Sequence, residues 1–129
     1  MIDDYAHHPT EIAATLQAAS HYPHKEVWCV FQPHTYSRTK AFLQDFADAL
    51  CSADHVVLAD IFAARETDTL GISSRNLLQA LKEKGTDCAY FPSFDEIENF
   101  LLEKCCPKDL LITMGAGDVH KIGESLLGK

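Results

Sequence analysis

The densest group of reactive side chains is the opening run Asp3-Asp4-Tyr5-Ala6-His7-His8-Pro9, placed where a loop turns into a helix. Carboxylates beside imidazoles suggest divalent-metal chemistry, but adjacent histidines face apart and neither H-x-x-x-H nor H-E-x-x-H spacing is present. His7 therefore reads as a polar substrate contact and His8 as the residue that starts the helix. A second group is Gln32-Pro33-His34-Thr35-Tyr36-Ser37-Arg38-Thr39. Arg38 offers a planar fork that binds a carboxylate or phosphate through two parallel hydrogen bonds. An exposed arginine at the start of the next helix fits the same spacing equally well. In Asp60-Ile61-Phe62-Ala63-Ala64-Arg65-Glu66, the last two residues read as an ordinary solvated turn. Gly115-Ala116-Gly117-Asp118 would let backbone N–H groups approach an anion at a helix start. It lacks the third glycine of a dinucleotide fingerprint, and no G-x-x-x-x-G-K-[ST] run supplies a phosphate-cradling loop. His21, His24 and His55 read as solvated.

These groups need elements to position them. Apolar residues at Ile12, Ala13, Leu16 and Ala19 predict a helix from Pro9 to Ser20, and Glu26–Phe31 is an apolar run that suits a strand buried on both faces. Phe42, Phe46, Ala49 and Leu50 mark a second helix and His55–Ala59 a second strand. Leu77, Leu78 and Leu81 mark a third helix, capped by Ser73 or Ser74 and stopped at Gly85. Cys88–Phe91 is a third strand. Ser93 with Glu96 forms a capping box that opens a helix burying Ile97, Phe100 and Leu101. Leu110–Thr113 is a fourth strand, and Val119, Ile122 and Leu126 mark a last helix. Alternation of this kind predicts an α/β fold, an open, doubly wound, mostly parallel sheet of Rossmann-like type over residues 1–129 as one domain. Ligands then bind outside the carboxyl ends of the strands, where three of the four expected strands carry the polar groups above.

Composition narrows the function. With 19 acidic against 11 basic residues the net charge is −8, and the lysines and arginines are scattered, so neither a nucleic-acid groove nor a membrane surface is expected. No run approaches the roughly 20 apolar residues of a membrane span, and the start lacks a secretory signal, so a cytoplasmic location is expected. Five cysteines without a C-x-x-C pair read as reduced, inert thiols.

The four polar segments, in this order, resemble the carboxyl-terminal domain of the Mur ligase family of bacterial cell-wall synthesis, and within it the alanine-adding branch. The resemblance spans essentially the whole sequence, but two further domains are absent from these 129 residues: an amino-terminal one that holds the UDP-sugar and a central one with the P-loop and magnesium sites. It implies ATP and Mg2+ in the full-length enzyme and none held by this portion alone. The implied reaction joins L-alanine to UDP-N-acetylmuramate: the muramate carboxylate becomes an acyl phosphate, which the alanine amine attacks to expel phosphate.

By resemblance, Tyr5, His7, His34 and Arg38 line the pocket for alanine and the muramoyl group, and Asp4 lies near the ribose of ATP. No catalytic residue and no metal ligand is implied in this portion, and its partners are its own two missing domains. Many relatives carry a second arginine where this sequence has Thr35, so Arg38 acts alone or the loop is arranged differently. A tripeptide-attaching relative shares the opening motif, but the Pro33–Thr39 loop favours the alanine enzyme. Two other classes compete: a self-contained, metal-dependent phosphoester hydrolase using Asp3, Asp4, His7 and His8, and a non-catalytic binding or receiver-like module with Asp60 at a strand end.

Overall fold

The computed structural model of the chain describes residues 2–4, 8–21, 25–106, 108–115 and 119–127. Within them run β1 (Ile2–Asp4), α1 (Pro9–Ala19), β2 (Val27–Phe31), α2 (Tyr36–Ala41), α3 (Leu43–Leu50), β3 (His55–Leu58), α4 (Ser74–Glu83), β4 (Asp87–Tyr90), α5 (Phe94–Lys104), β5 (Leu110–Met114) and α6 (His120–Leu127). The five strands among the described residues form one parallel sheet in the order β1-β5-β2-β3-β4. The chain winds outward from β2 through β3 to β4, then crosses back to place β5 on the other side of β2. The switch point of the sheet therefore lies between β2 and β5.

All five residues of β2 are buried, as its apolar run predicts. Their side chains alternate between two cores. Val27, Cys29 and Phe31 join Ile12 and Leu16 of α1, Phe46 and Leu50 of α3, and Leu77 and Leu81 of α4 on one face. Trp28 and Val30 meet Ile97 and Leu101 of α5 and Ile122 of α6 on the other. Helices thus cover both faces, and the doubly wound expectation holds.

Helix ends follow local chemistry. Ser73, rather than Ser74, caps α4 in a capping box with Asn76, while the Ser74 hydroxyl donates to the Ala59 carbonyl at 2.5 Å. Gly85, at φ +80°, takes the left-handed conformation that stops this helix. Ser93 Oγ accepts from the Glu96 N–H to start α5.

Several expectations are corrected. The sheet has a strand that periodicity missed, because Ile2-Asp3-Asp4 has one apolar residue and low strand propensity; backbone pairing with β5 makes it a strand. The expected second helix is two: Phe42 breaks the run at φ −116°, ψ 24°, and α2 forms from residues expected to be loop. Phe42 is 38% exposed rather than a core marker, and Ala13 is exposed too. The cysteines are free thiols, and burial pushes the Cys105 thiol up to about 11, which makes it unreactive at neutral pH.

His55, expected to be solvated, ties three strands together at their amino ends. Its ring stacks on Trp28 with centroids 4.0 Å apart, its Nδ1 lies 2.5 Å from Asp87 Oδ2, and its Nε2 bonds Glu26. Trp28 Nε1 in turn donates to Asp109 Oδ2 at 2.9 Å. Burial alone would lower the His55 pKa, but hydrogen bonds and charge from Glu26 and Asp87 outweigh it and raise the value above 6.5. A raised folded-state pKa means that this stabilisation is complete below the unfolded value and is lost as pH rises through the folded one. Urea midpoints measured between pH 5.5 and 9 should therefore fall with rising pH, and His55→Gln should flatten that slope; an unaltered slope would contradict the assignment.

At the opposite, carboxyl end of the strands, Gly115 sits at φ +152°, where an added Cβ would lie 3.0 Å from both the Gln32 carbonyl oxygen and Val119 Cγ1. Gly115→Ala should cost about 2 kcal/mol of stability, read as a lower urea midpoint at unchanged m-value.

Candidate functional site

The carboxyl ends of β1, β5 and β2 form one row, because Asp4 and Phe31 both pair with Met114. The row continues past the strands: the Gln32 N–H donates to the Met114 carbonyl at 3.0 Å, and Gly115 packs on Gln32. This is the switch-point edge, where parallel sheets receive ligands.

Next to it, the segments that follow β2 and β3 are joined. The Phe62 N–H donates to the Pro33 carbonyl and the Thr35 N–H to the Phe62 carbonyl, both at 2.8 Å, making a parallel bridge between His34 and Phe62. The His34 and Phe62 rings stack at 5.6 Å with a 19° interplanar angle. Thr35 then turns the chain at φ +65°, ψ 148°, a conformation that costs a β-branched residue about 1–3 kcal/mol. Its groups are all engaged: the hydroxyl accepts from the Arg38 N–H at 3.3 Å, and the carbonyl accepts from the Thr39 hydroxyl at 2.7 Å. Thr39 itself is fully buried. Thr35 is thus the N-cap of α2.

Arg38 lies on α2 rather than in a loop, and its Nη1 is 3.4 Å from His34 Nδ1. A guanidinium only donates, so in the neutral imidazole this contact uses the lone pair of Nδ1 and puts the proton on Nε2. The pair is half-buried. It joins a cation with several donors to a polarised imidazole, an arrangement suited to a carboxylate or another anionic oxygen.

The residue that sequence reasoning missed is Glu66, which reads there as part of a solvated turn. Its Oε1 accepts from the N–H groups of Tyr36 at 2.5 Å and Ser37 at 3.1 Å, and its Oε2 from the Ser37 hydroxyl at 2.5 Å. The Ser37 hydroxyl bond leads the causes that hold the Glu66 carboxyl below its ordinary pKa; desolvation, the second largest, opposes it, and the Ser37 and Tyr36 N–H groups and the charge of His34 add to the lowering. Nothing in the sequence marked it, because its partners lie 29 to 30 positions away on a helix expected to be loop.

The other expected residues are distributed as follows. Asp4 ends β1 on the row described above. Tyr5 and His7 lie outside the described residues, as does Ala116–Asp118. His8 is the N-cap of α1, its Nδ1 accepting from the Thr10 N–H at 3.3 Å, as expected of a residue that starts the helix. Asp60 accepts from the Tyr90 hydroxyl and lines a cleft of about 370 Å³ with Gln32, Pro92, Ser93, Phe94 and Asp95.

No group of three or more His, Cys, Asp or Glu among the described residues can hold a metal ion. The N-termini of α1, α2, α4 and α5 are closed by His8, Thr35 and Glu66, Ser73, and Ser93, and acids occupy the first turns of α1 and α5.

Fold and site define a class: a doubly wound parallel α/β domain with an arginine–histidine pair beside the switch point of its sheet. The family described as Mur ligase, glutamate ligase domain, matches residues 1–117. The chain belongs to the Mur ligase family. It is 67% identical over 129 residues to a UDP-N-acetylmuramate–L-alanine ligase of Agathobacter rectalis, and 64% identical over 127 residues to that of Lachnospira eligens. It spans 28% of the length of each of these curated relatives. A crystal structure of a UDP-N-acetylmuramate–alanine ligase from Thermotoga maritima superposes with a TM-score of 0.76 at 25% identity, over 96% of this chain and 25% of that one. A murein peptide ligase from Psychrobacter arcticus, 20% identical over 96% of this chain and 26% of that one, shares the fold with a TM-score of 0.77.

Because Ser37 leads the causes that lower the Glu66 pKa, Ser37→Ala should move the Glu66 carboxyl back up toward its ordinary value. Carbon-detected NMR titration of that carboxyl reads the shift. In the unsubstituted chain the Glu66 contribution to stability is present above the ordinary carboxylate pKa and is lost as pH falls through the depressed one. An unmoved titration in Ser37→Ala would contradict the bonding pattern.

Proposed function

We propose that this chain is the amino-acid-positioning domain of an ATP-dependent ligase that joins L-alanine to UDP-N-acetylmuramate in bacterial peptidoglycan synthesis. The His34–Arg38 pair at the ligand edge of the sheet is the observation that carries this reading. Identity above 60% to two ligases of that name supports the choice of substrates. A self-contained hydrolase is disfavoured by family membership and by the use of His8 as a helix cap.

In this reading the 129 residues act as one domain, and the rest of the ligase supplies the UDP-sugar site, the ATP site and magnesium. Arg38 receives the alanine carboxylate through two parallel hydrogen bonds, which sets the direction of the amine. His34, whose Nδ1 lies against the Arg38 guanidinium, lines the same pocket. Tyr5 and His7 complete the pocket for alanine and the muramoyl group, and Asp4 approaches the ribose of ATP. What supports this placement is that the chain leaves β1 at Asp4, in the row of strand ends that also carries Gln32 and Gly115. The amine of the held alanine attacks the activated muramate carbonyl; a C–N bond forms, the C–O bond to phosphate breaks, and the amine gives up a proton. The contribution of this domain is orientation and charge compensation. The enzyme works in the cytoplasm. None of the described helices is long and apolar enough to cross a membrane.

A charge-assisted contact is worth about 1.5–3 kcal/mol, so Arg38→Ala in the full-length protein should raise the KM for alanine at least about tenfold. Phosphate release should require both alanine and the muramate nucleotide. An unchanged alanine KM would remove Arg38 from the pocket, and release without alanine would contradict the reaction.

A further inference from the structure

An arginine that must receive a carboxylate in a set orientation needs a fixed base, and the base of Arg38 is unusually weak. Helix α2 has six residues, too few to hold its own first turn in water. It is held from outside, by the segment that follows β3. That segment offers the Phe62 carbonyl to the Thr35 N–H at the start of the helix, and the Leu70 carbonyl to Lys40 Nζ, at 3.2 Å, near its end. Between these two points the Glu66 carboxylate takes three donors of the first turn, the N–H groups of Tyr36 and Ser37 and the Ser37 hydroxyl. Glu66 reaches them because the chain turns back at Ala64, φ +57°, in a turn closed by the Glu66 N–H on the Ala63 carbonyl at 3.0 Å.

We propose that Glu66 is a positioning residue for the amino-acid substrate, holding the first turn of α2 so that the Arg38 guanidinium rests on His34 and faces the incoming carboxylate. The inference rests on the reading of Arg38 given above. A carboxylate suits the task in two ways. Its two oxygens serve three donors, which an uncharged hydroxyl cap does not. Its charge also fills the positive end of α2, so a substrate carboxylate finds no competing place on those N–H groups and is directed to Arg38. Glu66 makes no contact with the reacting atoms and acts only through the arginine.

The test uses the full-length protein, with phosphate release followed against alanine and muramate nucleotide for Glu66→Ala, Glu66→Gln, Arg38→Ala and the Glu66→Ala/Arg38→Ala double variant. Glu66→Ala is expected to raise the alanine KM about fivefold while kcat and the nucleotide KM stay within about twofold, the split that marks lost substrate binding. Glu66→Gln keeps an oxygen for the Tyr36 and Ser37 N–H groups and should restore most of the affinity. Added to Arg38→Ala, the Glu66→Ala change should raise KM no further, because two residues that act through one contact are not additive. Should Glu66→Ala fail to fold, Ser37→Ala, which removes one of the three bonds, must still raise the alanine KM. A normal alanine KM in Glu66→Ala, or in Ser37→Ala where Glu66→Ala does not fold, beside a raised one in Arg38→Ala, overturns the role of Glu66 and leaves that of Arg38 standing. Multiplying effects in the double variant overturn it as well. A normal KM in Arg38→Ala overturns both.

Discussion

The carboxyl-end half of the molecule depends on the two hydrogen bonds that join Pro33 and Thr35 to Phe62. They carry the parallel pairing of β2 and β3 beyond the strands themselves, with one more residue on the β3 side than on the β2 side between the Phe31–Leu58 pair and the His34–Phe62 bridge. This bridge sets the His34 ring on Phe62 and forces Thr35 into its positive-φ turn. The strain of that turn, about 1–3 kcal/mol, is offset by the bonds that hold every polar group of Thr35. Helix α2 begins where the turn ends, and Arg38 is placed by that start.

The two ends of the sheet carry different work. At the amino ends, His55 bridges Glu26 and Asp87 on a platform made by Trp28, and the interaction serves cohesion between strands. At the carboxyl ends, strained turns and shared hydrogen bonds hold groups that face solvent. Parallel strands make this division possible, because all five begin on one side of the molecule and end on the other. A short connecting helix held by a neighbouring loop can then be altered without touching either core.

Some residues were legible because their environment is local. The unbroken apolar run of β2 announced burial on both faces, Gly85 announced the end of α4, and His8 the start of α1. His34 and Arg38 were legible as types that follow the carboxyl end of a parallel strand, where such sheets generally receive ligands. Glu66 and His55 were not, since each looks like an ordinary charged surface residue until partners 29 to 32 positions away are known. Strand β1 was hidden for a related reason: its pattern is too short and too acidic to read, and its partner is the last strand of the chain.

The amino-acid sequence by itself determined the alternation of strands and helices, the two buried faces of the central strands and the side-chain types available at the carboxyl ends, because these follow from periodicity, capping and turn chemistry over a few neighbouring residues. Tertiary structure alone decided the order of the strands, the break at Phe42 that makes α2 a separate helix, and the meeting of Glu66 with that helix. Those outcomes depend on contacts between distant segments, whose energies are settled only when the whole sheet has assembled and each polar group must find a partner or remain in water.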